Sequence, residues 1–246
     1  MTSPARVALI TGSAKRIGAE IARRLHADGW RVALHYRSAR AEADALLDEL
    51  NGLRACSAIA LQAELAEFDR VPELIAQTVG QFGRLDALVN NASTYYATPL
   101  GNITPAQWDE LFASNARAPF FLAQAAAPHL RASGGAIVNI ADIYAERPLR
   151  GHSVYCMAKA ALVMATKALA LELGPQVRVN AIAPGNILWS TNAVKAETLD
   201  TVVDRTALAR QGSPADIAAA VRFLLSEAGY VTGTVLEVDG GRSLSI

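Results

Sequence analysis

The stretch Thr11-Gly12-Ser13-Ala14-Lys15-Arg16-Ile17-Gly18 decides the fold class of this chain. It follows a short apolar run, Val7–Ile10, and precedes an amphipathic stretch that begins near Ile17. A strand, a glycine turn and a helix in this order bring backbone N–H groups at the helix N-terminus close to a bound pyrophosphate. The usual pattern has three glycines, and here Arg16 takes the place of the middle one. The turn therefore predicts a dinucleotide-binding α/β protein with an unusual side chain in its phosphate loop.

Outward from this turn, short apolar runs alternate with longer amphipathic stretches. The predicted strands are Val7–Ile10, Val32–Tyr36, Ser57–Leu61, Leu85–Val89, Ala136–Ile140, Val177–Ile182 and Val235–Val238; the predicted helices are approximately Ile17–Asp28, Arg40–Asn51, Arg70–Phe82, Thr104–Ala132, Ser153–Leu173 and Pro214–Ser226. Strands that are apolar on both faces are typical of a parallel sheet covered on both sides. The pattern predicts a single-domain, Rossmann-type doubly wound α/β fold, with a seven-stranded parallel sheet flanked by helices on both faces. The domain spans residues 1–246, and the irregular stretch at about 184–210 is the expected substrate lid.

The composition excludes several classes of protein. Of the 246 residues, 52% are hydrophobic, and 23 Lys and Arg balance 23 Asp and Glu. This excludes intrinsic disorder, and the zero net charge argues against a nucleic-acid partner. We expect no signal peptide and no membrane span, because no uninterrupted apolar stretch approaches the roughly 18 residues that a span requires. Two distant cysteines and four histidines without ligand spacing predict free thiols, a cytoplasmic location and no metal site.

The end of the second predicted strand favours one dinucleotide over another. NAD-binding proteins carry an Asp or Glu about 20 residues beyond the glycines, where it binds the ribose hydroxyls. This chain has His35-Tyr36-Arg37-Ser38 at that point, without a carboxylate. The guanidinium of Arg37 and the hydroxyl of Ser38 suit a ribose 2′-phosphate. We therefore predict NADPH/NADP+ as the cofactor; the alternative is that Arg37 is only a solvated surface charge.

Tyr155 and Lys159 lie four residues apart on a predicted helix and so share one face of it. A nearby ammonium lowers the pKa of a phenol, and we expect Lys159 to tune Tyr155 in this way for proton transfer near neutral pH. The same spacing also occurs on ordinary surface helices. The position of the pair after the strand that ends at Ile140 favours catalysis, because the carboxyl ends of such strands face the ligand crevice.

Several motifs together make the chain similar, over nearly its whole length, to the short-chain dehydrogenases/reductases. They are Thr11-Gly12…Ile17-Gly18, Asn90-Asn91-Ala92, Asn115, Tyr155-x-x-x-Lys159 and Pro184-Gly185. The resemblance implies that Tyr155 is the general acid/base, that Lys159 binds the nicotinamide ribose, and that Asn115 holds a water in a proton relay. It also implies a homotetramer. The cofactor-binding residues that follow are Gly12, Lys15, Arg16, Ile17, Gly18, His35, Tyr36, Arg37, Ser38, Glu64, Leu65, Asn91, Ala92, Ser93, Tyr155, Lys159, Pro184 and Gly185.

One position departs from the pattern of that family. The family normally carries a serine thirteen residues before the tyrosine, where it polarises a substrate carbonyl, and this chain has Asp142 there. A carboxylate repels an alkoxide-like oxygen, but it suits a substrate with N–H groups or a proton relay to an imine-type nitrogen. The catalytic residues implied are Asp142, Tyr155, Lys159 and Asn115.

Together with Arg16 and the His35–Ser38 segment, Asp142 makes the chain resemble the pteridine reductase branch, which includes bacterial dihydromonapterin reductases. The resemblance implies hydride transfer to the C=N bond of dihydrobiopterin, dihydromonapterin or dihydrofolate, with the ring of Tyr95 stacked on the flat pterin. The substrate-binding residues implied are Arg16, Ser93, Tyr95, Asp142, Tyr155, Leu188 and Trp189. Two alternatives stay open: a carbonyl reductase for a ketone or 3-oxoacyl thioester, and an NADPH-binding module without catalysis.

Overall fold

The centre of the protein is one parallel β-sheet. A computed structural model describes residues 4–187 and 203–245 of the chain. Within these ranges the strands are β1 (Val7–Ile10), β2 (Arg31–Tyr36), β3 (Ala58–Gln62), β4 (Ala87–Asn90), β5 (Ala136–Ile140), β6 (Arg178–Pro184) and β7 (Val235–Val238). They lie in the order β3-β2-β1-β4-β5-β6-β7, and every neighbouring pair is parallel. The predicted Rossmann-type sheet is confirmed, and the order reverses between β1 and β4, where such folds bind ligands.

Helices cover both faces of the sheet. Those within the described ranges are α1 (Arg16–Ala27), α2 (Arg40–Leu53), α3 (Arg70–Phe82), α4 (Pro105–Phe112), α5 (Ala118–Ser133), α6 (Ser153–Leu173) and α7 (Pro214–Ser226). Ala8 and Ile10 of β1 pack in one apolar cluster with α1, α2 and α7, whereas Val7 and Leu9 pack in a second cluster with α3, α5 and α6. Because successive side chains of a strand point to opposite faces, β1 needs an apolar residue at every position.

A chain of buried polar side chains fixes α6 against the middle of the sheet. Nδ2 of Asn90 on β4 donates to Oδ1 of Asn139, its register partner on β5, at 2.8 Å. Nδ2 of Asn139 then donates to Oγ1 of Thr166 on α6, also at 2.8 Å. A buried amide without a partner costs roughly 1–3 kcal/mol, so these contacts favour one position of α6 over others. The middle of α6 is thereby held against β4 and β5.

The prediction of one continuous helix over Thr104–Ala132 is wrong. The structure divides this stretch into α4, a π-helical turn at Ala113–Arg117, and α5. Nδ2 of Asn115 inside the turn donates to the carbonyl oxygens of Leu111 and Thr94, at 2.9 and 2.8 Å. The bond to Thr94 ties the turn to the loop after β4, a tertiary contact that the helical periodicity does not reveal. Such π-helical turns are rare and occur often at functional sites.

By length and composition, α6 could cross a membrane, and it is the one described helix of which this is true. Of its most apolar window, 56% is buried inside the protein. Ala158, Leu162 and Leu169 are among its buried side chains. Packing in the core accounts for the apolarity of the buried face of α6.

The predicted lid at 184–210 falls largely outside the described residues. Leu188 and Trp189, which the resemblance assigns to the substrate, lie in the undescribed range 188–202. The lid and the single-domain limits of 1–246 therefore stay predictions.

Candidate active site

A cavity of about 760 Å³ opens where β1, β2, β4 and β5 end. It brings together most of the residues that the sequence predicts for the site: Gly12, Lys15, Arg16, Ile17, Gly18, His35, Arg37, Glu64, Leu65, Asn91, Ala92, Ser93, Tyr95, Asp142, Tyr155, Lys159, Pro184 and Gly185. Three other predicted residues with described positions do not line it. Tyr36 and Asn115 are buried behind its wall, and Ser38 is exposed beside it. The sequence thus predicts the location of the cavity well. It does not separate the residues that line the cavity from their neighbours Tyr36, Ser38 and Asn115, which do not.

Six lining residues escape the sequence analysis: Ala39, Thr94, Ser114, Ile140, Ala141 and Ile187. Five of them adjoin predicted residues along the chain, and Ile140 is two positions from Asp142, so proximity to predicted residues was the available signal. Thr94 and Ser114 also contact each other, although they belong to separate elements. The backbone N–H of Thr94 donates to Oγ of Ser114 at 3.3 Å, and the π-helical turn makes this contact possible.

Two glycines of the turn after β1 are required by close packing. Gly12 has a φ of +61°, and a Cβ there would lie 2.9 Å from Cα of Ala92. A Cβ on Gly18 would collide with the carbonyl oxygen of Gly12 and lie 2.6 Å from Nδ2 of Asn91. That Nδ2 donates to the carbonyl oxygens of Thr11 and Gly12, at 2.9 and 3.0 Å. Any larger residue at either position would push the turn away from the cavity.

The hydroxyl of Thr11 joins this turn to the turn after β4. Its Oγ1 accepts hydrogen bonds from the backbone N–H groups of Asn91 and Ala92, at 2.9 and 3.0 Å. The N-cap residue of α1, Lys15, makes no capping bond with its side chain. The first backbone N–H groups of α1 therefore have no side-chain cap. They lie beside the turn at Gly12 and Gly18, where no Cβ blocks the approach of a ligand. This arrangement fits the pyrophosphate of a dinucleotide.

Arg16 adopts a backbone conformation that normally requires glycine. Its φ is +53°, in the left-handed region. A residue with a Cβ pays roughly 1 kcal/mol or more to stay there. The chain thus keeps the glycine-like shape of the turn while adding a guanidinium to the cavity wall.

His35 supports the turn rather than presenting a free ring to the cavity. Its Nδ1 accepts a hydrogen bond from the backbone N–H of Gly12 at 3.0 Å, and its Nε2 lies 3.1 Å from the carbonyl oxygen of Ala63. Because an N–H can only donate to Nδ1, the proton of the neutral ring sits on Nε2. Burial lowers the pKa of His35 to about 4, against a smaller opposing effect of the Ala63 carbonyl. His35 is therefore neutral at physiological pH and braces the glycine turn against β3.

Two cations of the cavity wall, Lys15 and Arg37, lie near carboxylates. Nζ of Lys15 lies 2.5 Å from Oε1 of Glu42, and Nε of Arg37 lies 3.9 Å from Oε2 of Glu64. These side chains are half-exposed, so the pairs contribute little to stability. Their effect is to fix where positive charge stands at the rim of the cavity.

The centre of the site is a hydrogen bond between Tyr155 and Asp142. The phenol of Tyr155 donates to Oδ2 of Asp142 at 2.6 Å, and Oδ1 of Asp142 accepts from the backbone N–H of Tyr144 at 2.9 Å. Burial and the neighbouring carboxylate hold the pKa of Tyr155 well above its ordinary value. Burial also raises the pKa of Asp142, although its bonds to Tyr144 and Tyr155 act in the opposite direction. The phenol is thus protonated at neutral pH, and its proton points at a carboxylate.

The expectation that Lys159 lowers the pKa of Tyr155 is wrong for this arrangement. Nζ of Lys159 donates to the carbonyl oxygen of Ile140 at 2.8 Å and lies 5.7 Å from the centre of the Tyr155 ring. Asp142 is the nearer charge and has the opposite sign. Burial lowers the pKa of Lys159 to about 8, and Asp142 offsets part of that shift.

Asn115 and Ser93 form a second polar pair behind Tyr155. Oγ of Ser93 donates to Oδ1 of Asn115 at 2.7 Å. Since both N–H groups of the Asn115 amide are also used, its side chain is fully engaged with protein partners. Its assignment to a proton relay stays a prediction. The pair orients the hydroxyl of Ser93 at the cavity wall.

Tyr95 stands at the mouth of the cavity between two other rings. Its ring stacks on His152, with centroids 4.9 Å apart and planes at 12°, and meets Tyr155 edge-on at 4.8 Å. The Tyr95 side chain is 54% exposed, so the ring can still contact a ligand. Partial burial and the neighbouring Tyr144 and Asp142 raise the pKa of Tyr95 to about 12, and the ring is neutral at physiological pH.

Comparisons with known proteins agree with this geometry. A family model described as enoyl-(acyl carrier protein) reductase matches residues 12–243. Pteridine reductase 1 of Leishmania tarentolae is 37% identical over 285 aligned positions, which cover 99% of this chain and 99% of that protein. The 3-oxoacyl-(acyl-carrier-protein) reductase FabG of Staphylococcus epidermidis strain RP62A is 36% identical, over 95% of this chain and 97% of its own. An uncharacterised oxidoreductase of Methylorubrum extorquens strain AM1 is 36% identical, over 96% and 97%.

The doubly wound sheet, the glycine turn and the tyrosine–lysine pair define an oxidoreductase that uses a nicotinamide dinucleotide. The chain belongs to the short-chain dehydrogenase/reductase family. Relatives named for pteridine and for 3-oxoacyl reduction are similar to this chain to nearly the same degree. The choice between these substrates therefore depends on the chemistry of the site.

Proposed function

We propose that this protein is an NADPH-dependent pteridine reductase that converts dihydropterins to tetrahydropterins. The observation that carries the proposal is the 2.6 Å hydrogen bond from Tyr155 to Asp142, at the position where the family normally has serine. Similarity to a pteridine reductase over the full length of the chain supports it.

The carboxylate of Asp142 suits a nitrogen-containing substrate better than a ketone. Reduction of a carbonyl develops negative charge on oxygen, and a carboxylate beside that oxygen would raise the barrier. Reduction of C=N places a proton on nitrogen instead, and the N–H groups of a pterin can donate to a carboxylate. Because Asp142 lies 2.6 Å from the phenol oxygen in the partly buried wall of the cavity, its charge acts on the proton donor at short range.

The cofactor proposed is NADPH, which when bound supplies the hydride that the pterin carbon accepts. Arg37 and Lys15 stand on the cavity wall near the end of β2, and no Asp or Glu follows within the His35–Ser38 segment to bind ribose hydroxyls. A guanidinium and an ammonium there favour a 2′-phosphate. Arg16 adds a third cation to the same wall.

Tyr155 is the proposed proton donor to the pterin nitrogen. As C=N becomes CH–NH, the nitrogen needs one proton, and the phenol holds one at neutral pH because its pKa is raised. Asp142 orients this phenol by accepting its hydrogen bond. Lys159, protonated below a pKa of about 8, supplies a positive charge beneath the site. Tyr95 offers a neutral ring against which a flat heteroaromatic substrate stacks.

A carbonyl reductase is the second candidate, for a ketone or a 3-oxoacyl thioester. The FabG relative favours it, since its identity to this chain is only one percentage point below that of the pteridine reductase. Tyr155 and Lys159 would serve both reactions, whereas Asp142 would serve only the first. The third possibility, an NADPH-binding module without catalysis, has no support in a site that keeps Tyr155 and Lys159.

The deciding experiment measures NADPH oxidation over the oxidised and dihydro forms of biopterin, monapterin and folate, beside ketones and 3-oxoacyl thioesters. We expect at least one dihydropterin to have the highest kcat/KM, and Tyr155→Phe to reduce that value roughly 100-fold or more. Faster turnover of any ketone or thioester than of every pterin would refute the proposal. NADPH binding without turnover of any substrate would point to the binding module.

We further propose a homotetramer in the cytoplasm. Exposed apolar side chains on α6 support assembly, since Met164 and Leu171 are 63% and 86% exposed in the single chain. Light scattering at micromolar concentration tests the assembly, and a monomer would contradict it.

A further inference from the structure

Two loops that rise from neighbouring strands meet at the mouth of the cavity. One follows β4 and carries Tyr95, and the other follows β5 and leads into α6 through His152. They are tied by a backbone hydrogen bond, in which the N–H of Thr98 donates to the carbonyl oxygen of Gly151 at 2.6 Å. The stack of Tyr95 on His152 is a second tie between the same loops.

His152 is itself held in place from two sides. Its carbonyl oxygen accepts the first helical hydrogen bond of α6, from the N–H of Cys156 at 2.9 Å. Its Nδ1 lies 3.1 Å from the carbonyl oxygen of Arg150. The imidazole is therefore anchored to the helix that carries Tyr155, whereas Tyr95 belongs to a loop with a half-exposed ring.

The cavity wall includes Tyr95, and the described lining residues do not include His152. Tyr95 thus stands between the cavity and the imidazole. A planar ring orients a substrate only if its own plane is fixed, and the near-parallel imidazole fixes it. The edge-on contact with Tyr155 relates the plane of Tyr95 to the proton donor.

We propose that His152 is a positioning residue for substrate specificity: it backs the ring of Tyr95, so that a planar heteroaromatic substrate meets an oriented surface beside Tyr155. This inference rests on the proposed function, because it requires a flat substrate. It assigns His152 no contact with the substrate and no part in proton transfer.

The test compares His152→Ala, His152→Phe and a matched control, His129→Ala, which lies near the far end of α5 from the cavity. For each variant, kcat and KM are measured with the best dihydropterin, and the Kd of NADPH is measured by its fluorescence. We expect His152→Ala to raise the KM of the pterin roughly 2- to 12-fold, the range of one aromatic pair, with the Kd of NADPH unchanged. His152→Phe should restore KM to within about twofold of the wild-type value, because a phenyl ring also stacks on Tyr95 although it lacks the imidazole nitrogens.

A direct readout needs no substrate. The Cε1 proton of His152, assigned by its loss in His152→Phe, should move downfield in Tyr95→Leu as the ring current of Tyr95 disappears. An unmoved resonance would refute the stack. Unchanged pterin KM in His152→Ala, or equal damage in the Ala and Phe variants, would refute the inference alone. If the wild-type enzyme reduces no pterin at all, both the proposed function and this inference are refuted.

Discussion

The phenol of Tyr155 and the carboxylate of Asp142 share a 2.6 Å hydrogen bond in the wall of the cavity. Burial raises the pKa of each group, and the charge of Asp142 raises that of Tyr155 further. A phenol in this setting holds its proton at neutral pH and releases it only to a group that gains basicity during the reaction. A pterin nitrogen that is accepting hydride at the adjacent carbon is such a group.

Replacing Asp142 should change both the substrate and the pH dependence. Asp142→Asn removes a negative charge that raises the pKa of both Tyr155 and Lys159. Because the pKa of Lys159 is about 8, the alkaline limb of kcat/KM should move to lower pH in this variant. Asp142→Ser restores the residue typical of the family, and we expect the ratio of pterin to ketone turnover to fall at least tenfold. Steady-state kinetics from pH 6 to pH 10 check both effects. An unchanged substrate ratio in Asp142→Ser would contradict the role given to the carboxylate.

Arg37 should govern the choice between NADPH and NADH. Loss of a charge-assisted contact with the 2′-phosphate costs about 1.5–3 kcal/mol, so Arg37→Ala should raise the KM of NADPH roughly 10- to 100-fold. The KM of NADH, which lacks that phosphate, should change much less. Arg40→Ala is the matched control, because Arg40 pairs with Asp44 and is absent from the described cavity lining. Equal effects of Arg37→Ala on both cofactors would show that Arg37 is only a surface charge.

His35 should make the protein sensitive to acid. Its pKa is about 4 in the folded state and about 6.5 when unfolded, so between these values the unfolded state binds more protons. Stability is therefore fully present above pH 6.5 and is lost as the pH falls towards 4. We expect the wild-type protein to lose about 2 kcal/mol from this group between pH 7.5 and pH 5. Urea unfolding at the two pH values measures the loss, and His35→Gln, which does not titrate, should show correspondingly less of it.

Arg16 allows the backbone and side-chain contributions of one residue to be separated. Arg16→Gly removes both the guanidinium and the cost of a positive φ, whereas Arg16→Ala removes only the guanidinium. We expect the Gly variant to be more stable than the Ala variant by about 1 kcal/mol in the free energy of unfolding. Both should raise the KM of NADPH to a similar extent. A Gly variant no more stable than the Ala variant would mean that the turn holds Arg16 without strain.

Much of the fold was predictable because its signals are local. The central strand β1 is apolar on both faces, and Thr104 with Gln107 forms the capping box that begins α4 just before Pro105. The two glycines of the turn and the spacing of Tyr155 and Lys159 also lie within single elements. Such features depend on residues that are neighbours in the sequence, and they can therefore be read from the order of residue types alone.

The remainder depends on which residues meet in space. The pKa of Tyr155 moves opposite to the expectation because the phenol is buried and Asp142 reaches it, while Lys159 bonds to Ile140. Helical spacing alone reveals neither the burial nor those distances. The break at Asn115 follows from its bond to Thr94, on another element. The sequence analysis assigns no role to His152, because its stack with Tyr95 depends on the contact between two loops that are distant in the sequence.

The hydroxyl of Thr11 has a consequence for how this enzyme can be diversified. By accepting hydrogen bonds from two amides of the turn after β4, it ties that turn to the glycine turn after β1, in which Gly12 and Gly18 have no room for a Cβ. We therefore expect new substrate preferences to arise on the other side of the cavity, where the loops of Tyr95 and His152 meet through one backbone hydrogen bond and one ring stack. Libraries aimed at residues 95–99 and 146–152 should yield altered selectivity with cofactor affinity intact, whereas the same number of substitutions at residues 11–18 should yield mostly inactive protein.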